Sequence, residues 1–212
     1  MGKITSLTRQ QQNQNRVNVY LDGEFAFGLA LAAAVYLKIG QVLTPEDIVA
    51  LQAKDVVEKA RQVAYRLLEY RPRSCAEVEQ HLRQKGFAAD VISSVVMRLQ
   101  EASLLDDEAF ARYWIEQREA FKPRSRMALQ QELLQKGVAR AVIDTVLADL
   151  DETDTARRAA EAHMARIANL PEEVFRLQLG RFLQRRGFHY DIIKEITSEM
   201  WQIISENTDA TA

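Results

Sequence analysis

Apolar positions recur along this chain in steps of four, and the pattern restarts three times. Gly86, Gly137 and Gly187 lie 51 and 50 residues apart, and Leu82, Leu133 and Leu183 stand four places before them. Val78, Leu129 and Leu179 stand eight places before, and Lys85, Lys136 and Arg186 precede the glycines directly. After the glycine the apolar sites match again at Val91, Val142 and Ile192, at Val95, Val146 and Ile196, and at Leu99, Leu150 and Met200. A spacing of four places residues on one face of a helix. Each copy therefore predicts an amphipathic helix, a glycine turn and a second amphipathic helix. A preceding helix is predicted in each copy by "VEKARQVAYRLLEY" (57–70), "EAFARYWIEQREAF" (108–121) and "TARRAAEAHMARIA" (155–168). Three short amphipathic helices bury a small core, and stacking of copies adds to it.

The punctuation agrees with the periodicity. A glycine after a basic residue reads as a helix C-terminus, because glycine enters the left-handed region cheaply and the base complements the dipole. "YRPRS" (70–74) and "FKPRS" (121–125) repeat one stop-and-start signal. Pro72 and Pro123 end the first helix, and Ser74 and Ser125 are N-caps of the second. The third copy lacks Arg-Ser and sets its proline in "ANLPEEV" (168–174), sixteen residues before the glycine instead of fourteen.

The N-terminal stretch alternates instead. "KITSLTR" (3–9) and "RVNVYLD" (16–22) read as strands around a polar loop, "QQQNQN", and Asp22-Gly23 is a hairpin turn into "EFAFGL" (24–29). "LTPEDIVAL" (43–51) begins a helix, with Thr44 as cap and Pro45 in the first position. The expectation is a mainly α chain: three tandem helix-turn-helix-like repeats in an elongated array, preceded by a small β-hairpin or meander. Its boundaries are 1–53 for the N-terminal segment, 54–106, 107–152 and 153–206 for the repeats, and 207–212 for a disordered tail.

Composition narrows the class. With 47 % hydrophobic and 27 % charged residues the chain suits a packed, water-soluble protein, and eight Gly and four Pro favour helices over an all-β design. The single Cys75 excludes an internal disulfide framework and suits a reducing cytoplasm. The apolar run 25–37 is short for a membrane span and lacks the features of a secretory signal, so no membrane partner is expected. No long heptad run asks for a coiled-coil partner, and a monomer is expected.

A search for chemistry finds no active site. His81, His163 and His189 fall in different copies without metal-ligand spacing, and no phosphate-cradling glycine loop is present, so no catalytic, metal or cofactor residues are assigned. Cys75 opens a helix, but Arg126 and Arg176 occupy its aligned positions. Asp106-Asp107 reads as a cap and dipole partner, and Phe110, Tyr113 and Trp114 recur at packing intervals.

Charge placement says more. The net charge of −2 excludes wholesale coating of nucleic acid, so such contact must come from a local patch. Lys122, Arg124 and Arg126 form one acid-free cluster, Arg176, Arg181, Arg185 and Arg186 a second, and Arg71 with Arg73 a smaller third. Bases at a helix start oppose the dipole, while backbone N–H groups with arginine forks suit phosphate or carboxylate. In a helix-turn-helix module the last helix enters the major groove. In the second copy that stretch, "ARAVIDTVLADLDETD" (139–154), carries one base and five acids, which phosphates would repel. Operator reading through it is not expected.

"NVYLDGEFAFGL", "LLDDEAFARYWIEQR", and the "QELLQKGV" and "RRGF" units together resemble the RecX family of recombination regulators, over nearly the whole chain. The resemblance implies a non-enzymatic protein that binds the RecA recombinase, above all its filament on single-stranded DNA. It implies modulation, with inhibition as the expected sign, of ATP hydrolysis, strand exchange and co-protease activity, by an array lying along the filament groove. Ser103 and Lys122 stand where many relatives carry glycine. The basic residues named above are then the expected contacts to the filament, and to single- or double-stranded DNA. Sequence-independent nucleic-acid binding is the alternative reading, and a purely structural repeat protein is a third.

Overall fold

A computed structural model describes residues 1–209. The strands are β1 (Gly2–Arg9), β2 (Arg16–Leu21), β3 (Glu24–Ala30) and β4 (Val42–Leu43), and a short helix α1 (Leu31–Ala34) follows β3. Then come α2 (Pro45–Tyr70), α3 (Cys75–Gln84), α4 (Ala89–Glu101), α5 (Asp107–Phe121), α6 (Arg126–Gln135) and α7 (Arg140–Leu147). The last three are α8 (Glu152–Met164), α9 (Glu172–Arg185) and α10 (Tyr190–Asp209). Of the tail expected at 207–212, residues 207–209 continue α10, and 210–212 lie outside the described residues. The chain forms two units: Met1–Arg71 with Val78–Leu105, and Pro72–Glu77 with the chain from Asp106 onward.

In the first unit the sheet order is β3-β2-β1-β4, all antiparallel. Asp22 (φ 51°) and Gly23 (φ 92°) are both left-handed, as the tight hairpin turn between β2 and β3 requires. Ile4, Val17, Val19, Phe27, Leu29 and Leu43 form the core under the sheet. Helix α2 starts on a capping box: Thr44 Oγ1 accepts from the Asp47 N–H at 3.2 Å, and Asp47 Oδ2 accepts from the Thr44 N–H at 2.9 Å. The two helical stretches read separately around residues 43–51 and 57–70 are one helix, because nothing between them breaks it. Buried Asp55 joins α2 to the hairpin. It accepts from the Ala30 N–H at 2.8 Å and pairs with Arg16 at 3.0 Å and Lys59 at 2.9 Å. Burial alone would raise its pKa, but those donors outweigh burial and hold it below the ordinary aspartate value. Ala60 and Ala64 of α2 are fully buried, and their small side chains admit α4.

Two apolar clusters organise the second unit. Phe110, Ile115, Leu129, Leu133, Ile143 and Leu147 knit α5, α6 and α7. Phe175, Leu179, Leu183, Phe188, Ile196 and Met200, with alanines of α8, knit α8, α9 and α10. Trp201 packs on this second cluster, with 5.3 Å between its ring centroid and that of Phe175. The stretch 139–154 is not one helix. Leu150 keeps the apolar period and packs on the core, but Asp151 caps α8 by accepting from the Asp154 N–H at 2.9 Å. Helix α7 itself carries only Arg140 and Asp144, paired at 3.3 Å. Four of the five acids expected on a recognition helix, Asp149, Asp151, Glu152 and Asp154, lie beyond it.

The duplicated pentapeptide has a structural use. Ser74 accepts from the Glu77 N–H at 3.2 Å, capping α3, and donates through Oγ to the Lys136 carbonyl at 2.5 Å. The Cys75 N–H is accepted by Asp107 at 2.8 Å. Fifty-one positions later, Ser125 caps α6, its N–H is accepted by the Arg186 carbonyl at 3.1 Å, and the Arg126 N–H by Glu152 at 3.2 Å. In both places a Pro-Arg-Ser segment rests on the base-glycine turn of the following copy, and the first residue of that copy's first helix accepts a backbone N–H. Closeness at the turn demands glycine. A Cβ on Gly137 (φ 78°) would overlap Ala76 Cβ, and one on Gly187 (φ 91°) would stand 2.6 Å from Ser125 Oγ. Nothing lies within 4 Å of the same position at Gly86.

Candidate partner-binding surface

The nine basic residues expected to meet a partner divide sharply by what holds them. Arg126 lies at the start of α6 and turns back. Its guanidinium donates to the carbonyls of Leu147 at 2.5 Å and Leu150 at 2.7 Å, closing the C-terminal end of α7. Arg186 donates to the Pro123 carbonyl at 2.8 Å and lies 4.5 Å over the Phe182 ring. Burial, then repulsion from Arg124, lowers its pKa. Arg124 Nε lies 3.0 Å from Glu132 Oε1, an ion pair without hydrogen-bond alignment. Arg176 pairs with Glu172 at 2.8 Å and donates to Ser198 Oγ at 3.0 Å. Arg71 is the C-cap residue of α2, half-buried, and the Arg73 Nε is buried without a hydrogen bond. Lys122, Arg181 and Arg185 are exposed and make no ion pair among the described residues.

The fold brings two of the sequence clusters together. The backbone bond from Ser125 to Arg186 and the Arg186–Pro123 bond set the "FKPRS" segment against the end of α9. Lys122 and Arg124 therefore share a neighbourhood with Arg185 and Arg186. His163 reports the same positive field. It stacks on Phe182 with 3.9 Å between ring centroids, and its pKa is lowered first by burial, then by Arg166, Arg185 and Arg186.

Next to this lies a network that sequence reasoning missed. Glu132 accepts from Trp114 Nε1 at 2.8 Å and from Arg118 at 2.7 Å besides facing Arg124. Arg118 and Lys136 lie 4.8 and 5.0 Å from the Trp114 ring, and Lys136 continues to Glu77 at 2.8 Å. Glu132 lies five places before Gly137, inside a stretch read only for its leucines. Its signal is the change to Phe182 five places before Gly187.

Lys194 was also missed. With Arg176 and Arg181 it borders a groove of about 620 Å³ between α9 and α10, floored by Leu177, Gly180, Phe188 and Ile193, and no carboxylate lines it. Among the described residues no group of three or more His, Cys, Asp or Glu could hold a metal ion, and no helix is long and apolar enough to cross a membrane.

Comparison with known proteins places this arrangement. Residues 2–44 match the model of the regulatory protein RecX N-terminal domain. Residues 60–99, 106–147 and 150–197 match those of the first, second and third RecX three-helix domains. A Clostridium botulinum (strain Eklund 17B / Type B) protein named regulatory protein RecX is 30 % identical over 207 residues, covering 94 % of this chain and 96 % of that one. The protein of that name from Bacillus subtilis (strain 168) is 31 % identical, covering 100 % of this chain and 81 % of that one. A crystal structure of regulatory protein RecX superposes with a TM-score of 0.74 at 24 % identity, over 93 % of this chain and 100 % of that one. A second, of RecX from Lactobacillus salivarius, gives 0.60 at 23 % identity over 69 % and 97 %. These structural likenesses establish the fold.

Proposed function

The chain belongs to the RecX family of regulatory proteins, and we infer from this that it binds the RecA recombinase and its filament on single-stranded DNA. It acts there as a non-enzymatic regulator in the cytoplasm, lowering ATPase, strand exchange and co-protease activity. The observation that carries this reading is the match of all four segments, in order, to a family whose members are named for regulation. Exposed Lys122 and Arg185, beside half-buried Arg124 and Arg186, support it, because exposed cations favour encounter with an anionic filament. Arg126 is committed to α7 carbonyls, so reversing its charge would test folding rather than binding.

The test is the single-stranded-DNA-dependent ATPase of the cognate recombinase, titrated with this protein beside a titration of the bare DNA. Inhibition is expected at concentrations that leave bare DNA unbound, and Lys122→Glu with Arg181→Glu and Arg185→Glu should weaken it about tenfold or more with helicity intact. Inhibition that appears only where bare DNA is occupied, with a salt slope of about one log unit per phosphate contact, would favour direct nucleic-acid binding instead.

A further inference from the structure

The groove between α9 and α10 has a chemistry of its own. Its floor is apolar, and Leu177 remains 52 % exposed there. Arg176, Arg181 and Lys194 stand around it with Tyr190, which is 74 % exposed. Arg176 is partly neutralised by Glu172, whereas Arg181 and Lys194 make no ion pair among the described residues. Gly180 keeps the floor open: a Cβ there would meet only Ile193 Cγ2, at 3.6 Å.

The corresponding face of the second copy is filled. Counting from the two glycines, Gln130 stands for Gly180, Arg140 for Tyr190 and Asp144 for Lys194. Arg140 pairs with Asp144 at 3.3 Å, and its guanidinium comes within 2.8 Å of the Gln130 amide oxygen in the orientation that satisfies both groups. Where the second copy links Gln130, Arg140 and Asp144 across this face, the third copy has Gly180, Tyr190 and Lys194.

We propose that this groove binds an acidic peptide segment of a protein partner, seating one apolar side chain on Leu177, Phe188 and Ile193 while its carboxylates meet Arg181 and Lys194. A phosphate backbone needs the cations but gains nothing from the apolar floor. An apolar ligand would use the floor and leave the cations unanswered. An acidic segment with an apolar anchor satisfies both, as in helix-in-groove recognition. The proposal rests on the reading that this chain works by binding a protein.

Phage-displayed random dodecapeptides selected on the full chain supply the probe, with the Gly180→Gln, Lys194→Asp double variant as comparison. The variant places two of the second copy's side chains in the groove, filling its floor and reversing one cation, and Gln suits a helix interior better than Gly. Enriched peptides should carry several acids around a Leu or aromatic anchor, and the double variant should bind them at least tenfold more weakly at unchanged helicity. Peptides without acids, peptides that bind the variant equally, or no enrichment would overturn the proposal. So would an oligo-dT strand that binds the wild type and is lost in the variant while peptides are ignored. Peptide selection uses no recombinase. Failure there with ATPase inhibition intact would remove the groove assignment alone, and peptide binding without any ATPase effect would remove the recombinase reading alone.

Discussion

The second and third repeats share a scaffold and differ in what they present to solvent. Both turn on a left-handed glycine, receive a Pro-Arg-Ser segment on that turn, and offer an acid to the backbone N–H that follows the serine. At matched positions outside these joints the chemistry inverts. Glu132 gathers Trp114, Arg118 and Arg124 in the second repeat, while Phe182 offers a ring to His163 and Arg186 in the third. Arg126 closes a helix end, whereas Arg176 lies along its own helix beside Glu172. Duplication preserved the contacts that hold copies together and freed the remaining positions to take different charges. In the second repeat the matched side chains pair with one another, while in the third Arg181 and Lys194 face solvent with no ion pair among the described residues.

The largest effect is expected at the shared joints. Gly137→Ala adds left-handed strain and overlap with Ala76, for about 3 kcal/mol in all, and Gly187→Ala should be comparable. Gly86→Ala, facing open space, should cost about 1 kcal/mol. Chemical denaturation reads all three, and Ala76→Gly should restore much of the Gly137→Ala loss through coupling between contacting residues. Equal costs at the three glycines would break the claim that only two turns carry a neighbour.

Arginines at the matched positions should follow. Arg126→Ala removes two charge-assisted bonds, to the Leu147 and Leu150 carbonyls, and should cost about 2 kcal/mol, while Arg176→Ala loses a half-exposed pair worth less than about 1 kcal/mol. Similar losses would show that the two side chains do equivalent work after all.

The smallest effect distinguishes the two fields. The folded pKa of His163 lies below its unfolded value, so the unfolded chain takes up the proton first as pH falls. Stability should therefore decline as pH drops from about 6.5 through the depressed folded value, and added salt should reduce the decline by screening the arginines. His163→Gln should flatten this part of the stability profile. A profile unchanged by that substitution would mean that the histidine does not sense the basic surface.

Much of the fold could be read from local signals. The helices of the repeats, the serine caps, the glycine turns, the hairpin at Asp22-Gly23 and the Thr44 cap depend on neighbours a few residues away, whose chemistry is written in order. Ser103 adds a further case: it adopts φ 55°, in the left-handed region that favours glycine, while Lys122 at φ −150° lies outside it. Local reading failed at 139–154, where Leu150 sustained the helical period past the point at which Asp151 caps the next helix. The helices read separately at 43–51 and 57–70 are one, because no breaker stands between them.

The candidate surface was legible only as a set of charges. Lys122, Arg181 and Arg185 have the exposure expected of contacts, whereas Arg126 and Arg186 spend their donors on carbonyls 21 to 63 residues away. Sequence by itself determined the repeat, its helices and its turns, because hydrophobic period, caps and left-handed glycines act over a few residues. Only the tertiary structure decided which bases are consumed and which are offered, because an arginine's role is set by the acceptor that folding brings within about 3 Å of it.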